Sequence, residues 1–209
     1  MKNTISKRVL REIIREEIQN LNELLVEYAS KSTIVVDVQP AYEKYIRFDM
    51  DKFSDFLNKQ KSILYFFNGP DLGNEAEMDV MYWLMDYGVD DDTIDRIKFI
   101  DKGYGFFRNW MDVGVGESTI QKAIIHMVKN RKYDSRDIDE DEWLEMFPEL
   151  ENYDVLDDGI YLPDISIGKL KNWSGSYLCG GGKDECLKEV QLLMNAFNIK
   201  YKLVREFIY

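Results

Sequence analysis

Thr33-Ile34-Val35-Val36-Asp37-Val38 is the stretch on which the fold turns. Its residues are β-branched throughout until an acid interrupts them, which is the composition of a strand buried on both faces of a sheet. Working outward, Ser62-Ile63-Leu64-Tyr65-Phe66-Phe67 reads as a second strand, closed by the turn signal Asn68-Gly69-Pro70. Ile97 to Ile100 forms a third. Tyr177-Leu178-Cys179 is the apolar end of a short strand, and Ile199 to Tyr209 a last one. Helical spacing fills the gaps over residues 50–60, 75–87, 117–130 and from Asp184 to about Phe197, the last with Leu187, Val190, Met194 and Phe197 on one face. Met78, Met81, Tyr82 and Met85 recur in register and are expected on the core side of their helix. Strands alternating with helices predict an α/β domain with a mostly parallel sheet and helices on both faces.

Two segments fall outside that alternation. Leu10, Ile13, Ile14, Ile18, Leu21, Leu25 and Tyr28 recur at three- and four-residue steps, so residues 6–29 read as an amphipathic helix with Ser6 as its N-cap. The run from Asp134 to Asp158 is heavily acidic, its apolar content concentrated in Trp143, Leu144, Met146 and Phe147. It reads as an inserted helical excursion or a lid. The expected organisation is an N-terminal helix over 1–30 and an α/β domain over 31–209, with an acidic insertion at about 108–170.

The 209 residues carry a net charge of -12 and are 45% hydrophobic, enough for a sizeable core. An acidic surface repels phosphate backbones and anionic lipid, which argues against nucleic acid and membrane as partners. No apolar run approaches the roughly 18 residues of a membrane span, and the charged N-terminus has no signal-like apolar region. Two cysteines, Cys179 and Cys186, make no disulfide framework, and no His or Cys set completes a zinc site. A reducing, cytoplasmic setting is expected.

The chemistry gathers at strand ends, where open parallel sheets bind their ligands. Asp37 closes the first strand and Lys102 follows the third. Gly180-Gly181-Gly182-Lys183-Asp184-Glu185-Cys186 leads from the fourth strand into the last helix. That order puts a thiol on a first helical turn, whose partial positive charge favours thiolate, beside a glycine turn whose amides can face an oxyanion. The acid can take the thiol proton, and the ammonium can stabilise the negative charge. The Gly-Gly-Gly-Lys run fails the phosphate-loop template: Tyr177 stands where its first glycine belongs and Asp184 replaces the hydroxyl. The lone histidine, His126, sits in a helical run and reads as a surface or satisfied core residue.

Asp37-Val38-Gln39-Pro40-Ala41-Tyr42 resembles the D-x-Q-x-x-F opening of the isochorismatase-like cysteine hydrolases, with Tyr42 for Phe. Lys102 with Gly105-Phe106-Phe107 is similar to their lysine segment, and Gly180 to Cys186 to their G-x-x-x-D-x-C turn. The order Asp, Lys, Cys is also theirs, and the resemblance covers roughly half the chain. It implies a three-layer α/β/α, doubly wound fold. Asp37 is then the base, Lys102 the electrostatic partner and Cys186 the nucleophile, cleaving a small amide or related C–N bond through a thioester. It further implies a cis peptide at Gly182–Lys183, oxyanion and turn roles for Gly182, Lys183 and Glu185, no cofactor, and a homo-oligomer. Tyr42, Tyr104, Phe106 and Phe107 are the candidate pocket walls. The chain departs from the family in three ways. With one histidine it lacks the metal site of the nicotinamidase branch, Lys183 stands for the usual Thr, and the stretch from Phe107 to Tyr177 is far longer. The alternative is a catalytically weak or inactive scaffold of the same fold that binds a protein partner.

Overall fold

The computed structural model describes residues 31–68, 77–102, 107–153, 161–162 and 167–209. Five strands, β1 (Thr33–Val36), β2 (Leu64–Asn68), β3 (Ile97–Asp101), β4 (Ser176–Gly180) and β5 (Tyr201–Leu203), make one sheet in the order β3-β2-β1-β4-β5. Every pairing is parallel. The helices are α1 (Met50–Lys59), α2 (Glu77–Asp86), α3 (Asp91–Ile94), α4 (Arg108–Asp112), α5 (Glu117–Asn130), α6 (Glu140–Met146), α7 (Ile167–Lys171) and α8 (Cys186–Ala196). The strand order runs outward from β1 in both directions, so the winding reverses between β1 and β4. That reversal opens a crevice at the carboxyl ends of the two strands.

The β-branched run is explained by burial on both sides. All of β1 is buried, and its residues divide between two cores by the period of two that a strand imposes. Ile34 and Val36 join Phe67, Leu178, Leu187, Val190, Ile120 and Trp110 on one side. Val35 joins Phe66, Cys179, Phe53, Leu57, Val80 and Leu84 on the other. The first side packs α4, α5, α6 and α8, the second α1 and α2. Three layers follow, as expected for an α/β domain wound on both faces.

The acidic excursion does not hang outside. Trp143, Phe147 and Leu150 are buried in the same core as Trp110 and Met127, and the Trp110 and Trp143 rings meet edge to face at 5.6 Å. The acids of α6 lie on its outer side and cap its N-terminus, where Asp139 accepts from the Asp141 N–H. An apolar stripe thus anchors a charged segment, so the lid reading gives way to a packed part of the domain. The N-terminal helix expected over 6–29 lies outside the described residues.

Two expectations need correction. The stripe of Met78, Met81, Tyr82 and Met85 does not face the core, although Met81 is half-buried. Val80 and Leu84 of α2 are fully buried, whereas Met78, Tyr82 and Met85 are exposed. Both faces of α2 are apolar, and branched aliphatic side chains fill the sheet-side layer better than flexible ones. The last strand is also short. After Leu203 only the Val204 N–H still reaches the sheet, donating to the Leu178 carbonyl at 3.0 Å. The chain then enters a 3₁₀ turn, Arg205–Phe207, which buries Phe207 against Phe53 and Phe56. This detour carries Tyr209 back over the strand ends.

Candidate active site

Asp37 is the first residue beyond β1. Its N–H still donates to the Phe67 carbonyl at 2.8 Å, as a strand residue would, but its φ of 49° lies in the left-handed region. Asp and Asn tolerate that region better than most residues. The kink lifts the carboxylate off the strand direction and over the end of the sheet, where it is fully buried.

Lys102 is the first residue beyond β3. Two strand spacings, roughly 10 Å, separate it from β1, and its long side chain spans the end of β2 to bring Nζ within 2.6 Å of Asp37 Oδ2. The lysine is 3% exposed. Burial alone would lower its pKa, but the negative groups around it, Asp37 first, override that and raise it above the usual lysine range. The ammonium is therefore a fixed charge.

Cys186 opens α8, reached through the Gly180 to Gly182 turn. Gly180, with φ of 76°, lies so close to β1 that a Cβ would strike the Val36 carbonyl oxygen. The turn therefore passes directly beside the end of β1. The thiol is within hydrogen-bonding reach of the Asp37 carboxylate, and Lys102 acts on it as well. The three residues read from the sequence therefore meet at one rim, at the reversal between β1 and β4.

The state of the sulfur differs from the thiolate expected at a helix start. Burial pushes the Cys186 thiol up to about 12, Asp37 pushes in the same direction, and Lys102 only partly opposes them. The resting sulfur is a neutral thiol with a carboxylate acceptor beside it.

A cavity of about 710 Å³ reaches Cys186, which is half-buried, and is walled by Tyr42, Tyr45 and Tyr209 and by Gly182 to Glu185. Tyr42 takes its expected place, presented by the 3₁₀ turn Pro40–Tyr45. Phe107 does not. It is buried in the core against Trp110, ring centroids 5.4 Å apart, because it caps α4 with its ring turned inward. Tyr104 and Phe106 lie outside the described residues.

The turn is built differently from the expectation as well. No described peptide is cis, and Gly182–Lys183 is trans. The Lys183 N–H donates to the Tyr209 carbonyl at 3.0 Å, and the Glu185 N–H to the Gly182 carbonyl at 3.0 Å. Both amides are thereby committed and cannot serve an oxyanion. Among the described residues the Cys186 N–H has no such partner. Side chains 183 to 185 are exposed, and Glu185 pairs with Arg108 at 3.4 Å.

Three participants escaped the sequence reading. Tyr209 ties the parts together: its hydroxyl donates to the Asp37 carbonyl at 2.9 Å, and its N–H donates to the Gly181 carbonyl at 3.2 Å. Tyr45 walls the cavity. Glu189, buried on α8, sits 3.5 Å from Lys102. Glu189 stands off the Leu187–Val190–Met194 stripe on the helix, so its burial had no local mark in the sequence. Nothing local marked Tyr209.

Cys179, by contrast, is fully buried in a core, its thiol well above the usual range for want of water. His126 contacts Glu142 at 3.1 Å, away from the cavity. Among the described residues no group of three His, Cys, Asp or Glu side chains is placed to hold a metal ion, and no helix is long and apolar enough to cross a membrane. Comparison with known proteins finds no matching family model, no matching curated protein and no matching solved structure.

Proposed function

We propose that this chain is a cysteine hydrolase of isochorismatase-like type that cleaves a small amide or related C–N bond. The observation that carries the reading is the meeting of Asp37, Lys102 and Cys186 at one strand-end rim, with a cavity reaching Cys186.

Because the resting sulfur is a thiol, attack and proton transfer belong to one event. Asp37 takes the Cys186 proton as the sulfur bonds to the carbonyl carbon. The Cys186 N–H is the amide left to meet the oxyanion, and Lys102 balances the negative charge beside it. Asp37 then returns its proton to the nitrogen as the C–N bond breaks, so an amine leaves and a thioester remains. Water attacks the thioester, Asp37 takes the water's proton, the C–S bond breaks, and that proton goes back to sulfur. An amide and a water become a carboxylic acid and an amine, and the site returns to its starting state. The tyrosine walls suit a small, flat substrate with an uncharged body.

The test is a screen of small amides for acid and amine release by wild type beside Cys186→Ala. Wild type is expected to turn over at least one of them, and Cys186→Ala to lose about a thousandfold or more, with an unchanged melting temperature. A fully active Cys186→Ala overturns the reading. An empty screen favours the second reading, a scaffold of this fold that binds a protein partner; the exposed Met78, Tyr82 and Met85 of α2 are the observation on that side.

A further inference from the structure

Glu189 lies three residues along α8 from Cys186, and residues so spaced share a side of a helix. It is 2% exposed, and its Oε1 has no hydrogen-bond partner among the described residues. Its Oε2 lies 3.5 Å from Lys102 Nζ, which is itself 2.6 Å from Asp37. One ammonium is therefore shared by two carboxylates in a space closed to water. A buried carboxylate is costly unless its charge is matched, and an aliphatic residue would fill the same space without that cost. Packing does not ask for an acid here.

The charged and titratable groups around Glu189 come from four elements. Lys102 follows β3, Asp37 follows β1, Arg108 comes from α4, and Cys186 shares its helix. From α5, which packs along α8, the buried side chains are Thr119, Ile120, Ala123, Ile124, Met127 and Val128, none of them charged. The α5 residue Glu117 turns away to pair with Lys188 at 2.6 Å.

We infer that Glu189 is a positioning residue that restrains the nucleophile: by sharing Lys102 with Asp37, its negative charge keeps Cys186 a thiol until Asp37 takes the proton. The inference rests on Cys186 being the nucleophile. It also has a pH sign. Burial raises the Glu189 carboxyl above the usual carboxylate range, so as pH falls it takes up a proton sooner than an ordinary carboxyl and the restraint is lost. As pH rises through its titration the charge appears and pushes the thiol further up.

Alkylation by iodoacetamide, in which the sulfur displaces iodide to form a thioether, reads this without any substrate. Rates are measured from pH 5 to 9 on wild type, Glu189→Gln and Glu189→Asp, with the labelled peptide identified by mass. All three are expected to react alike at the acid end. At pH 8 Glu189→Gln should run about threefold or more faster than wild type, half a pKa unit's worth, while Glu189→Asp, which keeps the charge, follows wild type. A Glu189→Gln rate at or below wild type at pH 8 overturns the inference. So does a ratio constant with pH, or an equal acceleration in Glu189→Asp. Should Glu189→Gln fail to fold, wild type alone decides. Below the thiol's pKa its rate climbs about tenfold per pH unit, with a flatter stretch expected where Glu189 ionises and a uniform slope overturning the idea. An empty amide screen beside a pH-dependent ratio favours the scaffold reading and leaves the restraint on the thiol standing. Hydrolysis lost in Cys186→Ala beside identical alkylation profiles does the reverse.

Discussion

The rim of the sheet and the tryptophan core beneath α5 are built on opposite principles. The core gathers Trp110, Trp143 and Phe147 in edge-to-face and tilted contacts at 5.6 and 5.8 Å, and none of its buried side chains is charged. The rim buries Asp37, Lys102 and Glu189 together, holds a non-glycine residue at positive φ, and keeps a thiol beside a carboxylate. Packing of the first kind stabilises the fold, and the second kind draws on that stability to hold reactive groups in place. The difference teaches where to look for chemistry when nothing else identifies a site: where the interior contains what an interior should not.

That contrast can be broken by mutation. The largest expected effect is on the rim. Lys102→Met strands two buried carboxylates and should cost about 3–5 kcal/mol of stability as well as all turnover. The loss should shrink at acid pH, where buried carboxylates without a counter-ion take up protons and cease to be charged. Urea melts at pH 5 and pH 8 check both the size and the direction. A similar stability loss with a different signature is expected from Trp143→Ala. It removes about 3–5 kcal/mol by leaving a cavity, independently of pH, while the folded fraction keeps normal Cys186 alkylation. If alkylation changes as much as stability does, the two regions are coupled and the contrast fails.

Tyr209→Phe sharpens it with the smallest effect. It deletes one hydrogen bond to the Asp37 carbonyl and should lower stability by about 1 kcal/mol. The ring and the backbone bonds to Gly181 and Lys183 remain, so the cavity keeps its wall. A fall in kcat with little change in KM is the expected result of a base held less firmly. A change confined to KM would make Tyr209 a wall and nothing more.

Much of this was written locally in the chain. Thr33 to Val36 could be read as a doubly covered strand because β-branching without alternation has few other uses. Asp37, Lys102 and Cys186 could be read because each follows a recognisable strand. The failures have physical causes. Met78, Tyr82 and Met85 read as core because both faces of α2 are apolar, and periodicity cannot choose between two hydrophobic stripes. Phe107 is spent on the core because, as the residue capping α4, it turns its ring onto Trp110. Tyr209 depends on the chain leaving the sheet after Leu203 and folding back, a path decided by where Phe207 finds its aromatic pocket. The thiol's neutrality is a property of enclosure, and a string of residues does not state how much water a side chain loses.

Gly180 bears on all of this through what it lacks. A single methyl at that position would strike the Val36 carbonyl oxygen and the Val38 side chain and wedge β1 and β4 apart just before the kink that carries Asp37. Bare backbone there sets how closely the glycine turn can pass the end of β1, so the tightest spacing beneath the candidate site belongs to a residue with no side chain to contribute.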